Sequence, residues 1–199
     1  MKVKLIEIVK YIGSGLVLSR YQAKKDQPVK QTYKVLTIKS LDDYGKMDET
    51  QFEELSAGRD IPDKYIVQPG DVFIRNSTPF TAGYFPDEIN QPMLIPSNFT
   101  IFRVDRDILI PQYLSIYLNS LTIKEFFNRV TSPSSMKFIK ANTIKEVEIE
   151  LISIEKQQGI IELHELMQKE LQLLKSIFQK KEELYQKVIN AKIRGEDVK

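Results

Sequence analysis

The chain of 199 residues carries 29 Lys and Arg against 27 Asp and Glu, a formal net charge of +2, with 42% hydrophobic and 10% aromatic residues. Near-neutrality with this apolar content excludes a polybasic nucleic-acid tail, a polyacidic tail and a disordered polyampholyte, and the length suits one domain or one domain with an appendage. With no cysteine and a single histidine, a disulfide framework and a Cys/His zinc site are excluded, and a reducing, cytoplasmic home is expected.

The N-terminal run from Met1 to Lys10 is broken by charge too often to hold a signal-peptide core. The longest charge-free run, Ile108–Ile123, has 16 residues and contains Pro111, Gln112, Ser115 and Asn119, which is short of a bilayer span, so no membrane association is expected. All nine prolines lie between Pro28 and Pro133, whereas the only glycines after Ser134 are Gly159 and Gly195. Punctuation by Pro and Gly predicts short strands and turns in the first part, and its absence predicts helix in the last. The division falls near Leu151–Glu155, giving a domain over 1–152 and a helical region over 153–199.

Strands are predicted at Tyr33–Ile38 and Asn98–Val104, which carry β-branched and aromatic residues in partial alternation. Tyr65–Val67, Gln68–Asp71 and Val72–Ile74 read as strand, tight turn, strand. From Pro111 to Val130 the spacing becomes helical, with Pro111 at a first helical position and a core-facing stripe of Tyr113, Leu114, Tyr117, Leu118 and Leu121. Glu155–Arg194 is proline-free over 40 residues and begins after Ser153, an N-cap residue type, with Gly195 as a C-cap. With Ile160 at heptad position a, the a positions are Ile160, Met167, Leu174, Lys181 and Val188, and the d positions Leu163, Glu170, Ile177, Leu184 and Ala191. Leu171, Phe178 and Tyr185 at e, with Leu166 and Leu173 at g, widen this stripe. A helix of about 60 Å outruns a domain of this size, so it is expected to protrude and find a partner helix.

The sequence carries little that points to catalytic chemistry. Gly13-Ser14-Gly15 lacks the third glycine of a dinucleotide fingerprint, because Leu18 stands there, and no phosphate-binding Gly-x-x-x-x-Gly-Lys-Ser/Thr loop occurs. The Pro-Pro-aromatic motif of amino-group methyltransferases is missing. The only carboxylate-x-Lys triplet of the kind metal nucleases use is Asp197-Val198-Lys199, at the terminus. His164 lies on the long helix, where an interface or solvated role outweighs a general base. A non-catalytic binding module is expected, with no cofactor and no metal.

Charge is unevenly laid out. Residues 1–41 hold nine Lys/Arg against two acids (+7), residues 42–63 two against eight (−6), and residues 121–145 five against one (+4). If the basic stretches meet, they form one cationic face for phosphates. Three polar loops carry side chains suited to DNA: Arg20, Tyr21, Lys24 and Lys25; Arg75, Asn76, Ser77 and Thr78; and Ser132, Ser134, Ser135 and Lys137, with Lys140 close by. Each loop is equally an ordinary turn in composition.

Taken in order, Lys4-Leu5-Ile6-Glu7-Ile8 with Ser14-Gly15, Val35–Ile38, Pro69-Gly70-Asp71-Val72-Phe73-Ile74-Arg75, Ile110-Pro111-Gln112-Tyr113-Leu114 and Ile149–Gln157 resemble one half of a specificity subunit of type I restriction-modification systems. The family's prolines are replaced where Glu150 and Ile152 stand, and full-length members resemble two such halves in tandem. The resemblance implies an α+β fold: a small mixed-sheet or open-barrel target recognition domain with flanking helices, then a long protruding helix that forms an antiparallel coiled coil. It implies a non-enzymatic subunit of a phage-defence complex that reads one half of a bipartite site in double-stranded DNA. It further implies docking to modification methyltransferase subunits and, through them, restriction/translocase subunits. The single domain and unpaired helix add an expected homodimer, with Ile160, Leu163, Met167, Leu171, Leu174, Ile177, Phe178, Leu184, Tyr185 and Val188 at its interface. Two other readings stay open: a recognition module of another split restriction or defence enzyme, and a coiled-coil adaptor whose head binds protein.

Overall fold

The computed structural model describes residues 2–131 and 137–195, and the chain divides into two compact units, Met1–Gln158 and Gly159–Lys199. The first unit contains, in chain order, β1 (Lys2–Lys4), α1 (Leu5–Ile8), β2 (Val9–Ser14), β3 (Gln31–Val35), β4 (Glu53–Ala57), β5 (Val72–Arg75), β6 (Ala82–Tyr84), β7 (Met93–Leu94), β8 (Phe99–Val104), α2 (Pro111–Asn119), α3 (Leu121–Val130), α4 (Ala141–Lys145) and β9 (Glu148–Glu150). The final helix, α5 (Ile154–Ile193), starts in the first unit and forms the second. The expected α+β class holds, with one mixed and two antiparallel sheets, no closed barrel among the described residues, and a long C-terminal helix.

Three sheets organise the first unit. β2-β8-β5-β6 is antiparallel throughout, β4-β3-β7 is mixed because β3 pairs antiparallel with β4 and parallel with β7, and β1 pairs antiparallel with β9. In the last, Lys2 stands opposite Glu150 and Lys4 opposite Glu148, so opposite charges face across the strands. β8 is buried along nearly its whole length because it is central in its sheet, and Phe99 packs edge-on to Phe73 at 5.8 Å with Phe85 alongside. The second sheet gathers its own core from Leu16, Tyr33, Val35, Leu55, Ile61 and Leu94.

The strand-turn-strand expectation over 65–74 is corrected. The turn forms, with Gly70 at φ +75 and the Asp71 N–H donating to the Gln68 carbonyl at 3.0 Å. Its arms part, however: Ile66 bridges Leu94 and the Val67 N–H donates to Met93, while β5 joins β8 and β6. The two arms thus pair in different sheets, the first with β7 and the second with β8 and β6. The helical stretch after Pro111 is also two helices, because Ser120 is extended (φ −61, ψ 150). Tyr113, Leu114 and Leu118 are buried as expected, whereas Leu121 opens the second helix and is exposed.

The start of α5 is tied down by Gln157, which is 0% exposed. Its Nε2 donates to the Ile108 and Ile152 carbonyls at 2.9 and 3.0 Å, and its Oε1 accepts from the Ile110 N–H at 2.9 Å. Glu155's own N–H, and after it the Ser153 hydroxyl, hold the Glu155 carboxyl below the usual range, as expected at a helix N-terminus. Gln157→Ala orphans three main-chain groups and is expected to cost about 3 kcal/mol, at roughly 1 kcal/mol each; urea unfolding of the full chain measures it.

In the second unit α5 runs on to Ile193, and Gly195 (φ +75) closes it with its N–H on the Lys192 carbonyl. Leu163, Leu166, Met167, Leu173, Leu174, Ile177, Phe178, Leu184 and Tyr185 are each between 52% and 66% exposed. Ile160 and Leu171 are slightly more covered and Val188 is half-buried. His164 is half-buried, and burial lowers its pKa against the opposing pull of Glu165. No helix among the described residues is long and apolar enough to cross a membrane.

Candidate nucleic-acid interface

Gly15 begins the edge on which the predicted loops meet. A Cβ there would collide with the Ile95 and Pro96 carbonyl oxygens, so glycine lets the chain after β2 lie against 95–97. The Leu16 N–H donates to Ile95 (2.7 Å) and the Ser97 N–H to Leu16 (2.8 Å). On the other side of 97–98, the Asn76 N–H donates to Asn98 (2.9 Å), the Ile139 N–H to Asn76 (2.8 Å) and the Thr78 N–H to Lys137 (3.1 Å). A continuous ladder of main-chain hydrogen bonds therefore joins residues 137–139, 76–78, 97–98 and 15–17, and the loop holding Arg20 to Lys25 follows directly.

The side chains on this edge differ in what they offer. Arg20, Lys24 and Lys25 are exposed and have no ion pair among the described residues, in a 3-10 turn (Leu18–Arg20) and the loop after it. Asn76, expected among the base readers, is 2% exposed: its Oδ1 accepts from the Thr100 hydroxyl at 2.8 Å and its Nδ2 donates to the Ser97 carbonyl at 3.3 Å. In this arrangement it fastens the loop. Ser77 is buried as well and accepts from Arg75 Nε at 2.9 Å. Arg75 is half-buried, which lowers its pKa, and its guanidinium is aligned along its own loop. Thr78 is exposed. Lys137 Nζ donates to the Asn128 carbonyl and side chain at 3.2 and 3.1 Å, close to the end of α3, where a cation complements the carbonyls. Lys140 is exposed and precedes α4. Ser132, Ser134 and Ser135 lie outside the described residues, as does the Asp197-Val198-Lys199 triplet.

One cation was not legible in the sequence. Arg59, inside the acidic stretch, lies with its guanidinium carbon 4.6 Å from the Tyr21 ring centroid and donates to the Arg20 carbonyl. Three backbone links hold the two loops together: Gly58 N–H to Tyr21 (2.9 Å), Ala23 N–H to Ser56 (2.8 Å) and a Gln22–Ala57 bridge. Gln27 Nε2 adds a bond to the Gly58 carbonyl at 2.8 Å. A cleft of about 240 Å³ opens between Arg20, Tyr21, Lys24, Gln27 and Arg59.

The local excess of positive charge is sorted by pairing. Lys4–Glu146 (2.5 Å), Lys10–Asp105 (3.2 Å), Lys30–Asp60 (2.7 Å) and Lys34–Glu54 (2.8 Å) neutralise four of the nine N-terminal cations. Exposed pairs of this kind add little stability, but they cancel charge locally. What stays uncompensated at the loop edge is Arg20, Lys24, Lys25 and Arg59, a concentration of positive potential beside an aromatic ring. Such a group can neutralise phosphates and stack on a base or sugar. Among the described residues, no group of three or more His, Cys, Asp or Glu side chains is placed to hold a metal.

No protein family and no curated protein matches the sequence. Solved structures do match. A chain from a study of complex assembly and conformational transition of the type I R-M system aligns at TM-score 0.72 with 18% identity, covering 100% of this chain and 51% of that one. The HsdS subunit from Thermoanaerobacter tengcongensis aligns at TM-score 0.67 with 19% identity, again over 100% and 51%. The chain has the fold of one half of a type I specificity subunit. The S subunit of the type I restriction-modification system from M. genitalium also matches, at TM-score 0.52 and 12% identity over 96% of this chain and 45% of that one. This chain thus spans about half the length of these specificity-subunit structures. The stretches that carry the sequence resemblance meet in the fold: Lys4-Leu5 lies against Val147–Glu150, and Ile110 is bonded to Gln157.

Proposed function

We propose that this chain is a DNA-recognition subunit of a type I restriction-modification complex, non-catalytic itself, that reads one half of a bipartite site. The observation that carries the proposal is the match of the whole chain to half of a specificity subunit, with four cations on one loop edge that have no ion pair among the described residues. In this reading Arg20, Lys24, Lys25 and Arg59 contact phosphates and Tyr21 offers a stacking face. Arg75, Thr78 and Lys140 add further contacts to the DNA, as do Ser132, Ser134 and Ser135. The long helix pairs with a second copy through its exposed apolar face and provides the platform for methyltransferase subunits, which connect it to restriction/translocase subunits. Two identical readers related by a twofold axis require inverted half-sites, so the DNA target is an interrupted palindrome.

The test is reconstitution with a type I methyltransferase, followed by mapping of methylated sites. The expected result is methylation at a palindromic, interrupted sequence, with a dimeric chain by light scattering. Association that ignores salt, with no retention on DNA, would instead identify the adaptor.

A further inference from the structure

We infer that α5 pairs with a second copy of this chain in one antiparallel register, centred between Lys175 and Ser176 and locked by two symmetry-related contacts between Glu170 and Lys181. The inference rests on the homodimer proposed above and adds its geometry.

The exposed face of α5 contains two charged residues at heptad core positions, Glu170 at d and Lys181 at a. Both are exposed, and neither has an ion pair among the described residues. A parallel pair would stack Glu170 on Glu170 and Lys181 on Lys181, placing like charges in two core layers. In an antiparallel pair, a layers face d layers, and a twofold axis makes every contact occur twice. With Glu170 opposite Lys181, the remaining layers become Ile160 on Ala191, Leu163 on Val188, Met167 on Leu184 and Leu174 on Ile177. Every other layer is then apolar on both sides.

Registers one heptad away lack this match. A shift one way sets Leu163 against Lys181 and Glu170 against Leu174. A shift the other way sets Glu170 against Val188 and Ile177 against Lys181. Either arrangement strands both charges among apolar side chains, which costs far more than a paired charge. A polar residue at a core position fixes register at some cost in stability, and here the two are complementary to each other and equidistant from the centre of the heptad core that runs from Ile160 to Ala191. A second copy of the same helix is therefore the occupant that satisfies this face. The register matters to function because a one-heptad slip moves one helix along the other by about 10.5 Å. At about 3.4 Å per base pair, that is a change of roughly three base pairs in the separation available to two readers.

The experiment measures dimer dissociation of the full chain by sedimentation equilibrium for wild type, Glu170→Lys, Lys181→Glu and the double reversal. Each single reversal makes two like-charge layers per dimer and is expected to raise the dissociation constant roughly tenfold or more. The double reversal restores both pairs and is expected to return to within about threefold of wild type. A dimeric wild type whose single variants are unaffected, or whose double variant is no tighter than the weaker single, overturns the register and leaves the dimer standing. A monomeric wild type overturns both.

Discussion

Replacing Arg103 with alanine is expected to cost about 3–5 kcal/mol of unfolding free energy, because it strands a buried carboxylate. Arg103, on β8, is 17% exposed and Asp71 2%, and Arg103 Nε lies 3.1 Å from Asp71 Oδ1. The guanidinium also donates to the Ile66 carbonyl at 2.8 Å and to Lys64 at 3.3 Å, and sits 5.3 Å from the Tyr11 ring centroid. Asp71 in turn accepts from the Gln68 N–H at 2.9 Å. One ion pair thus secures the turn at which the chain leaves one sheet for the other.

The pH dependence of this loss distinguishes a stranded charge from lost packing. Burial pushes the Asp71 carboxyl above the ordinary carboxylate range, against the pull of the Gln68 N–H and Arg103. A raised carboxyl pKa means that the folded state holds its proton more tightly than the unfolded chain. The associated stability is full below the unfolded value and is lost as pH rises through the folded one. Removing Arg103 raises Asp71 further, so the deficit of Arg103→Ala should be greatest at neutral pH and shrink on acidification through the raised value. Asp71→Asn in the Arg103→Ala background should recover much of the loss, because a neutral amide needs no countercharge. Urea denaturation at neutral and acidic pH measures both, and a deficit independent of pH would assign the effect to packing.

Arg103 and Asp71 also mark the limit of what the sequence discloses. β8 was legible because its β-branched and aromatic residues form a pattern that local physics explains, and α5 because nothing in 40 residues interrupts it. The 65–74 segment was legible as a turn and misleading as a hairpin, since the choice of strand partner depends on Met93 and Leu94, more than twenty positions away. Asn76 shows the same limit among the site residues. Asparagine in a polar loop suits a base edge and an internal brace equally well, and its bonds to Thr100 and Ser97 depend on residues that only the sheet brings in. Gln157 carried no signal beyond membership of a recognisable stretch, because its three partners are main-chain groups. Charge counting marked the N-terminal stretch as rich in cations but could not sort it. Whether a lysine is free depends on whether folding puts a carboxylate beside it, as it does for Lys30 and Lys34 and does not for Lys24 and Lys25.

That sorting leads to the largest expected effect on DNA. Each phosphate neutralised by a protein cation contributes about 0.9 to the slope of log affinity against log salt, so at about 0.1 M salt one contact is worth nearly tenfold. Replacing Arg20, Lys24, Lys25 and Arg59 together by alanine is expected to flatten the slope by roughly three to four and weaken binding by about three orders of magnitude. All four side chains are exposed and none has an ion pair among the described residues, so the fold should tolerate their loss, apart from the stacking of Arg59 on Tyr21 and its bond to the Arg20 carbonyl. The control is Lys30→Ala with Lys34→Ala. These two cations come from the same basic stretch but are held by Asp60 and Glu54, so their removal should leave the slope nearly unchanged. Fluorescence anisotropy with labelled duplex, titrated over a range of salt for the three proteins, reads both quantities. If the paired lysines flatten the slope as much as the unpaired group, then net charge governs binding, and the loop edge formed around Tyr21 and Arg59 is not where the backbone sits.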